Sequence, residues 1–484
     1  MTNVCDAVEK LISYAERNLG LAKKDEDFVR NNIFALLNLE SFCVAKKEYE
    51  EDDLNAVTAE LAESVVENGL AKEEEIPTLI DRIIGLTEKS PSELQKEFYE
   101  TEKKYGSKRA TEEFYDYCVK TDYVKKKKLD ENPRFSVGDL IITINKAKPE
   151  FKDPKKAVSG NAVKGGYPKC TICHENEGFA GRQKCTLRTI DITLDGQKWF
   201  WQFSPYGYFY QHGIAVNYEH IPMHVDKRAF YRLMDFADRF PHYFIGCNAS
   251  LPRIGGSVLA HDHYQGGGEV LPLHKAGAYK TFVADGAVIE IVDWYGTVVR
   301  VVSENRDITA DVCDKIRIAW ENYSNPEIGL INVDEEGVHH AVSPTVVKTA
   351  RGYETSLILR SNITSDEYPD GVFHAHPEFH VIKKESIGLI EAQGLFILPG
   401  RLEKQLREVK EYILKGEPLP EDLKEFKTVY DETVNSLYGA LNAVNVDEAM
   451  KKELASVCAR ILDNTAVFKD KEQTVAFLKD AGII

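Results

Sequence analysis

The sequence predicts an α+β fold in which helices pack on antiparallel sheet. Strand-like stretches outnumber helix-like ones in the middle of the chain, and they follow one another too closely for the helical crossovers that parallel strands need. Helical patterns fill both ends, at about residues 1–130 and 420–484. The His-x-His spacing of His261 and His263 recurs in His374–His376, but this short echo does not by itself establish a second, similar sheet domain.

Composition and charge exclude several classes of protein. The 484 residues are 43% apolar and 29% charged, which is typical of a globular chain with two or three structural units. No apolar run approaches the roughly 18 residues of a membrane span, and the acidic N-terminus is unlike a secretory signal. The net charge of −17 argues against nucleic acid and anionic membrane as partners. Nine scattered cysteines indicate reduced thiols and a cytoplasmic protein.

Residues 1–134 form the first predicted region, which is helical. Its apolar stripe begins at once, with Val4, Val8, Leu11, Ile12 and Ala15 at helical spacing. Ser90, Pro91 and Glu93 predict a helix start, since they supply a capping hydroxyl, proline at the first helical position and an acid in the first turn. The four lysines of Lys125–Lys128 are interpreted as a solvated helix end, because the chain is too acidic for a nucleic-acid patch.

Two further regions are predicted at residues 135–300 and 301–484. The β-branched run Leu140–Ile144 predicts a buried strand, and the stretch Lys146–Lys169, rich in Lys, Gly and Pro, predicts a loop. Asp195-Gly196 predicts a hairpin turn. No phosphate-loop or dinucleotide fingerprint is present, so no organic cofactor is expected. Other strands are expected at 186–194, 199–203 and 206–216, and the stretches 279–303 and 355–398 are expected to be rich in strands. Helices are expected at about 227–240, 308–323 and 402–415.

The stretch Gly255–Gly268, GGSVLAHDHYQGGG, holds the sharpest candidate site. We expect a strand here, with an apolar lead-in at Val258–Ala260 and glycines at its end. Alternate side chains of a strand point to the same face. One face is therefore expected to carry His261, His263 and Gln265, and the other Asp262 and Tyr264.

His263 is the candidate nucleophile for a phosphoryl or nucleotidyl transfer. A neutral imidazole keeps a lone pair at neutral pH, because its unperturbed pKa is about 6.5. A covalent intermediate would divide one displacement into two easier ones. Ser257, the flanking glycines and the Gln265 amide are candidates to hold phosphate oxygens. The alternative is that the histidines are structural. Their ordered spacing between two glycine clusters argues against this alternative.

Cys170 and Cys173 form a C-x-x-C pair at the end of the predicted loop. The spacing suits a zinc site or a redox pair, but no thioredoxin-like context surrounds it. A zinc site needs about two more ligands, for which His220 and His261 are candidates. The other interpretation, two thiols that are only neighbours in a turn, stays open.

These motifs together resemble the active-site strand of the histidine-triad superfamily, and in particular its galactose-1-phosphate uridylyltransferase family. Hydrolases of the superfamily carry a third histidine where this chain has Gln265. The resemblance extends to Asn248 upstream of the motif, to the order Cys170, Cys173, His220 and His261, to His374 and His376, and to Gln393 in SIGLIEAQG. Asp262 in place of a proline, together with the helical N-terminus, resembles the long bacterial form, class II.

The resemblance implies two histidine-triad-like antiparallel sheet domains with flanking helices, a structural zinc at the Cys and His residues above, and a homodimer. It also implies substrate contacts by Asn248, Ser257 and Gln393. For the short form's second metal site, only His374 and His376 have counterparts here, and no third histidine can be assigned. The class of hexose 1-phosphate is not specified by the sequence.

The mechanism implied by the resemblance is a ping-pong exchange. His263 takes UMP from UDP-glucose and releases glucose 1-phosphate, and galactose 1-phosphate then takes UMP to give UDP-galactose. In this scheme Gln265 holds the transferring phosphoryl group, and His261 orients His263 through its backbone carbonyl.

Two alternatives within the superfamily are a dinucleoside polyphosphate phosphorylase and a nucleotide hydrolase. Gln265 argues against hydrolysis, and the long-form sequence argues against the phosphorylase. Phosphate charge must be balanced in any of these enzymes. Four basic residues near the motifs are candidates among which the sequence does not choose: Arg253, Lys275, Arg360 and Lys383.

Overall fold

A ten-stranded antiparallel sheet lies at the centre of the protein in the computed structural model, which describes residues 3–42, 49–146, 166–255, 258–437 and 441–484. The helices are α1 (Val4–Asn18), α2 (Glu26–Leu36), α3 (Leu54–Glu67), α4 (Ile76–Thr87), α5 (Pro91–Tyr105), α6 (Ser107–Lys120), α7 (Lys126–Asp130), α8 (Lys227–Arg239), α9 (Pro272–Lys275), α10 (Arg306–Glu321), α11 (Leu389–Ala392), α12 (Arg401–Lys415), α13 (Lys427–Ser436), α14 (Ala443–Thr465) and α15 (Lys471–Asp480). The strands are β1 (Arg134–Val137), β2 (Leu140–Asn145), β3 (Ile190–Leu194), β4 (Gln197–Phe203), β5 (Gly213–Asn217), β6 (Phe244–Gly246), β7 (His263–Gly267), β8 (Ala278–Ala284), β9 (Ala287–Val292), β10 (Val298–Ser303), β11 (Val333–Asp334), β12 (Gly337–Val338), β13 (His340–Thr349), β14 (Gly352–Ser361) and β15 (Leu395–Pro399).

Two half-sheets of five strands each make up the large sheet. The first has the order β3-β4-β5-β7-β6, the second has the order β8-β9-β10-β14-β13, and they join where β6 pairs with β13. In each half a three-stranded meander leads to a helix, α8 or α10, and then to the two inner strands. The predicted α+β fold is thereby confirmed, and its two similar antiparallel units are the halves of one continuous sheet.

Helices α8 and α10 cover one face of the large sheet, because each carries an apolar stripe that becomes buried there. The stripe residues include Phe230, Leu233, Met234 and Ala237 of α8 and Val312, Ile316 and Trp320 of α10. The N-terminal helices extend the same apolar core. At its edge, the Tyr99 hydroxyl of α5 donates to the Asp191 carbonyl of β3 at 2.8 Å. The helical N-terminal region is thus packed directly against the first half-sheet.

A second layer covers the opposite face. In the small sheet β1-β2-β15, β15 runs parallel to β2, and the apolar side chains of both strands share a core with α12 and α14. Short helix α11 precedes β15 and lies over the join between the half-sheets, where Leu389 approaches Gly246. The catalytic candidates lie between this layer and the large sheet.

The sequence predicted the helix ends and the hairpin correctly at positions where one residue determines the backbone conformation. The Ser90 hydroxyl accepts from the Glu93 amide at 3.3 Å and caps α5. Gly416 adopts a left-handed conformation, φ 67°, at the end of α12. Asp195 and Gly196 both have positive φ, 50° and 70°, as a tight hairpin between β3 and β4 requires.

Four predicted strands are wrong in extent. β3 begins at Ile190 and not at Thr186. β7 begins at His263, not at Val258, because β5 ends at Asn217 and the ladder between the two strands ends with it. Residues 206–212 form turns before β5, where Gln211 has a positive φ of 56°. Residues 362–388 are largely irregular, with a short helical turn that begins at Pro377. The predicted loop at 146–169 lies mostly outside the described residues.

The expected division of the chain at residue 300 falls inside β10 of the continuous sheet. The half-sheets meet through hydrogen bonds of β6 with β13, which cross the expected division. The domain boundaries 1–134, 135–300 and 301–484 stay a prediction. Across the described ranges, no helix combines the length and the apolar character needed to cross a bilayer.

Candidate active site

His263 and Gln265 lie on β7, between β5 and β6 in the first half-sheet. Val216 pairs with His263 and Ile214 with Gln265, and the period of the strand places both polar side chains on one face. Gly246 pairs with Gln265 on the other side. A Cβ at Gly246 would lie 2.6 Å from the Pro344 carbonyl oxygen, so only glycine allows the half-sheets to join here.

The imidazole of His263 is held in one tautomer. Its Nδ1 donates to the His261 carbonyl at 2.8 Å, which leaves the Nε2 lone pair available. Burial lowers the pKa of His263 to about 4, and the His261 carbonyl only partly opposes this effect. The ring is therefore neutral at neutral pH, as a nucleophile toward phosphorus must be.

His261 lies just before β7 and joins a cluster of sulfur and nitrogen atoms. Its Nε2 donates to the Asn217 carbonyl at 2.8 Å, and its Nδ1 lies 3.3 Å from the sulfur of Cys170. The His220 Nδ1 lies 3.2 Å from the sulfur of Cys173. One ligand atom from each of these four residues falls within 4.8 Å of the others. The cluster could hold a metal ion, and the Asn217 carbonyl fixes the ring of His261 as a second-layer partner does in metal sites.

Asp262, just before β7, and Tyr264 of β7 both contact Arg232 of α8, so their side chains point to the far face of the sheet, as predicted. The Nη1 of Arg232 lies 3.9 Å from Asp262 Oδ2 and 3.5 Å from the Tyr264 hydroxyl. Tyr264 also stacks on Trp199 with ring centroids 4.8 Å apart. Burial raises the pKa of Asp262 to about 6 despite Arg232. These contacts fix the back of the catalytic strand to the helix layer.

His212 is a polar neighbour of Gln265 that the sequence analysis missed. Its ring packs against Tyr208 and Phe209, with centroids 4.8 and 4.7 Å away. Burial lowers the pKa of His212 to about 4, and the Gln265 side chain acts in the opposite direction. No local sequence pattern indicates this contact. It arises because Ile214, which follows His212 by two residues, pairs with Gln265 on the neighbouring strand.

Asn248 follows β6 and is almost fully buried. Its Oδ1 accepts from the Leu389 amide at 2.8 Å, whereas its Nδ2 has no hydrogen-bond partner in the described part of the chain. The amide nitrogen of Asn248 is thus left for a ligand, and its contact with substrate phosphate stays a prediction. Ser257, the other expected phosphate contact, lies outside the described residues.

Gln393 is completely buried at the end of α11. Its Oε1 accepts from the Thr345 hydroxyl at 3.0 Å, and its Nε2 donates to the Leu389 carbonyl at 3.1 Å. Thr345 pairs with Gly246, which pairs with Gln265, so Gln393 lies over the second strand from β7. A contact of Gln393 with substrate stays a prediction.

His374 and His376 do not converge on a shared ligand position. His374 Nδ1 donates to the Ala375 carbonyl at 3.1 Å, and His376 Nε2 donates to the Val372 carbonyl at 3.0 Å. Within the ranges that the structure describes, Cys170, Cys173, His220 and His261 are the group suited to a metal.

Comparisons with known proteins agree with this geometry. Models of the N-terminal and C-terminal domains of galactose-1-phosphate uridyl transferase match residues 23–222 and 236–428. The chain is 51% identical to the galactose-1-phosphate uridylyltransferase of Bifidobacterium longum subsp. longum, over 100% of this chain and 98% of the relative. It is 36% identical to that of Fusobacterium nucleatum subsp. nucleatum, over 98% of both chains. The structure of yeast Ap4A phosphorylase Apa2 aligns with 60% of this chain and 88% of its own, at 12% identity and a TM-score of 0.35, which is too low to support a conclusion.

Proposed function

This chain belongs to the galactose-1-phosphate uridylyltransferase family, and we propose that its His263 carries UMP from one sugar phosphate to another. The enzyme is a nucleotidyltransferase that converts UDP-glucose and galactose 1-phosphate into glucose 1-phosphate and UDP-galactose. The observation that carries the proposal is the neutral ring of His263, whose Nδ1 is held by the His261 carbonyl and whose Nε2 is left for attack.

In the first half-reaction, His263 Nε2 forms a bond to the α-phosphorus of UDP-glucose. The bond from that phosphorus to the bridging oxygen breaks, and the electron pair leaves on glucose 1-phosphate. This group departs as a stable anion, since the second pKa of a phosphate monoester is about 6, and it needs no general acid. The ring becomes cationic, and the His261 carbonyl at 2.8 Å stabilises the proton on Nδ1.

In the second half-reaction, a phosphate oxygen of galactose 1-phosphate attacks the uridylyl phosphorus, and the bond to Nε2 breaks. Gln265 lies on the same face of β7 as His263, and its amide is suited to hold the transferring phosphoryl group. An amide cannot act as the general base that activates water, which favours transfer over hydrolysis. The full-length relatives support the transferase over the phosphorylase.

Zinc is the metal that best suits the cluster of Cys170, Cys173, His220 and His261. Two thiolates and two imidazoles are a typical donor set of a closed, tetrahedral structural zinc site. Zinc bound there would supply structural cross-linking, and His261 connects the cluster to the nucleophile through its carbonyl. The support for zinc is the donor chemistry and the spacing of the ligand atoms.

We further propose a homodimer in the cytoplasm. The support for the dimer is the family resemblance alone. The cytoplasmic location rests on the nine scattered cysteines, whose odd number and wide spacing suit reduced thiols.

Intact mass measurement after incubation with UDP-glucose alone tests the covalent step. The wild-type protein is expected to gain the mass of one UMP, and His263→Asn is expected to gain none. His340→Phe is the matched control, because His340 is equally buried but lies in the second half-sheet. Absence of the adduct in wild type, or its persistence in His263→Asn, would refute the proposal.

A further inference from the structure

Among the four basic residues near the motifs, Arg360 alone combines complete burial with unused donors in the described ranges. Lys275 is exposed. Lys383 donates to Glu391 at 2.9 Å, and Arg253 donates to the Asn362 carbonyl at 3.1 and 3.3 Å. Arg360 is 1% exposed, and its Nε and Nη2 have no hydrogen-bond partner in the described part of the chain.

The unused edge of Arg360 is the edge that matches a phosphate. Its Nη1 donates to the Ile387 carbonyl at 2.9 Å, which occupies one corner of the guanidinium. The remaining Nε and Nη2 hydrogens are parallel and bind two oxygens of one anion in a bidentate arrangement. Burial lowers the pKa of Arg360 to about 10, opposed by Glu391, so the group keeps its charge at neutral pH.

Arg360 and Asn248 hold the same short segment from two sides. Arg360 contacts the Ile387 carbonyl, and Asn248 accepts from the Leu389 amide at 2.8 Å. Between these residues, a Cβ on Gly388 would lie 3.3 Å from Asn248 Oδ1, so the backbone passes close to the amide. The free Nδ2 of Asn248 and the free edge of Arg360 are therefore both positioned around the segment Ile387–Leu389.

The sheet places Asn248 beside the nucleophile, and it places Arg360 three strands away from β7 on the same face. Gly246 pairs with Gln265, and the same antiparallel register continued by two residues sets Asn248 next to His263. Arg360 lies on β14, two strands beyond β6, and on the face shared with Ser356, whose row continues through Thr345 and Gly246 to Gln265.

The local charge also favours an anion. Glu391 is a carboxylate that acts electrostatically on Arg360, and it accepts from Lys383 at 2.9 Å and from the Gly388 amide at 3.2 Å. No carboxylate of the described residues hydrogen-bonds Arg360. The buried guanidinium is thus left with a positive charge that an anionic ligand would compensate.

We propose that Arg360 binds the phosphate of the hexose 1-phosphate and supplies the positive charge there, next to Asn248, which the family resemblance already implies as a substrate contact. This assignment rests on the proposed function, because it places the acceptor phosphate beside the uridylylated ring. Arg360 is then a substrate-binding residue of the second half-sheet that serves chemistry on the first.

The test separates the two half-reactions. Wild type, Arg360→Met, Arg360→Lys and Arg300→Met are first loaded with UMP from excess UDP-glucose, and loading is checked by intact mass. Galactose 1-phosphate is then added, and the rate of adduct loss is followed against its concentration. Arg360→Met is expected to raise the concentration for half-maximal discharge roughly 30-fold, since charge-assisted hydrogen bonds are lost. Arg360→Lys keeps the charge but lacks the edge with two parallel donors. Its half-maximal concentration is expected to lie between those of wild type and Arg360→Met.

Arg300→Met is the matched control. Arg300 is also buried on the same face, but its donors are used by Ser356, Glu290 and two backbone carbonyls. Its removal should lower the melting temperature without changing the dependence on galactose 1-phosphate. If Arg360→Met does not fold, Arg360→Lys decides the question. An unchanged half-maximal concentration in the folded Arg360 variants overturns this assignment, whereas failure of wild type to form the adduct overturns the proposed function instead.

Discussion

The two half-sheets share one strand order and differ in what their fourth strand carries. In the first half this strand is β7, with His263 and Gln265 facing the second layer. In the second half it is β14, where Ser356 faces the same layer and is bonded to Arg300. β7 carries the nucleophile and the amide that the proposed transfer uses, whereas β14 carries Thr355 and Arg360, whose Oγ1, Nε and Nη2 atoms have no hydrogen-bond partner among the described residues. The fold alone therefore does not specify the chemistry, which depends on a few side chains placed on one of two similar scaffolds.

Removal of the nucleophile gives the largest expected difference between the halves. His263→Asn should lower kcat by at least about 10⁴-fold, because no other group can form the intermediate. Thr355→Val on β14 replaces a buried hydroxyl that has no partner in the described ranges, so it should retain near-normal turnover. Steady-state assays of UDP-galactose formation measure both. A comparable loss of kcat in the two variants would contradict the view that the first half-sheet carries the nucleophile and the second does not.

Loss of the metal should affect the first half more than the second. Cys170→Ser is expected to reduce bound zinc and to lower kcat roughly 10-fold, since His261 would no longer be fixed and its carbonyl orients His263. Cys313→Ser, in the buried face of α10, is the matched control. Metal analysis and turnover are measured on the same preparations, and equal zinc in Cys170→Ser and wild type would contradict the site.

The join between the halves is expected to tolerate no side chain at Gly246. Gly246→Ala places a Cβ 2.6 Å from the Pro344 carbonyl oxygen and should destabilise the protein by about 2 kcal/mol. Gly277→Ala is the control, because nothing lies within 4 Å of its added Cβ. Urea unfolding of both variants measures the effect. Equal urea midpoints for Gly246→Ala and Gly277→Ala would mean that β6 and β13 can move apart without a loss of folding free energy.

The smallest effect concerns acid stability of the second half-sheet. Burial lowers the pKa of His340 to about 4, below its unfolded value of about 6.5, so the folded state binds fewer protons between these values. Its contribution to stability is full above pH 6.5 and is lost as the pH falls toward 4, which amounts to about 1 kcal/mol between pH 7.5 and 5.5. His340→Phe, which can keep the stacking on Trp320, should flatten this part of the stability curve. An unchanged pH slope in thermal unfolding would show that His340 does not contribute.

The sequence predicted best those features that depend on neighbouring residues along the chain. The cap at Ser90, the turn at Asp195-Gly196 and the shared face of His263 and Gln265 all follow from local backbone geometry. His261 was correctly associated with the two cysteines through the family pattern, although it precedes the strand on which it was expected.

The features that the sequence did not give depend on which strands become neighbours. His212 reaches Gln265 only through the register of β5 with β7. The sequence does not distinguish Arg360 from Lys383 as a phosphate ligand. In the structure Lys383 is paired with Glu391, whereas Arg360 has no hydrogen-bonded carboxylate among the described residues. Such pairings join residues far apart in the chain, and no periodicity or spacing encodes them.

The parallel pairing of β2 with β15 has a consequence for synthesis of the chain. Leu395 follows Asn145 by 250 residues (395 − 145), and in the described structure β2 has only β1 as its other partner. At the usual 5–20 residues per second, the apolar edge of β2 waits roughly 10 to 50 seconds on the ribosome before β15 emerges. During that interval Leu140–Asn145 has one unpaired strand edge, which is a template for pairing with another chain unless a chaperone covers it.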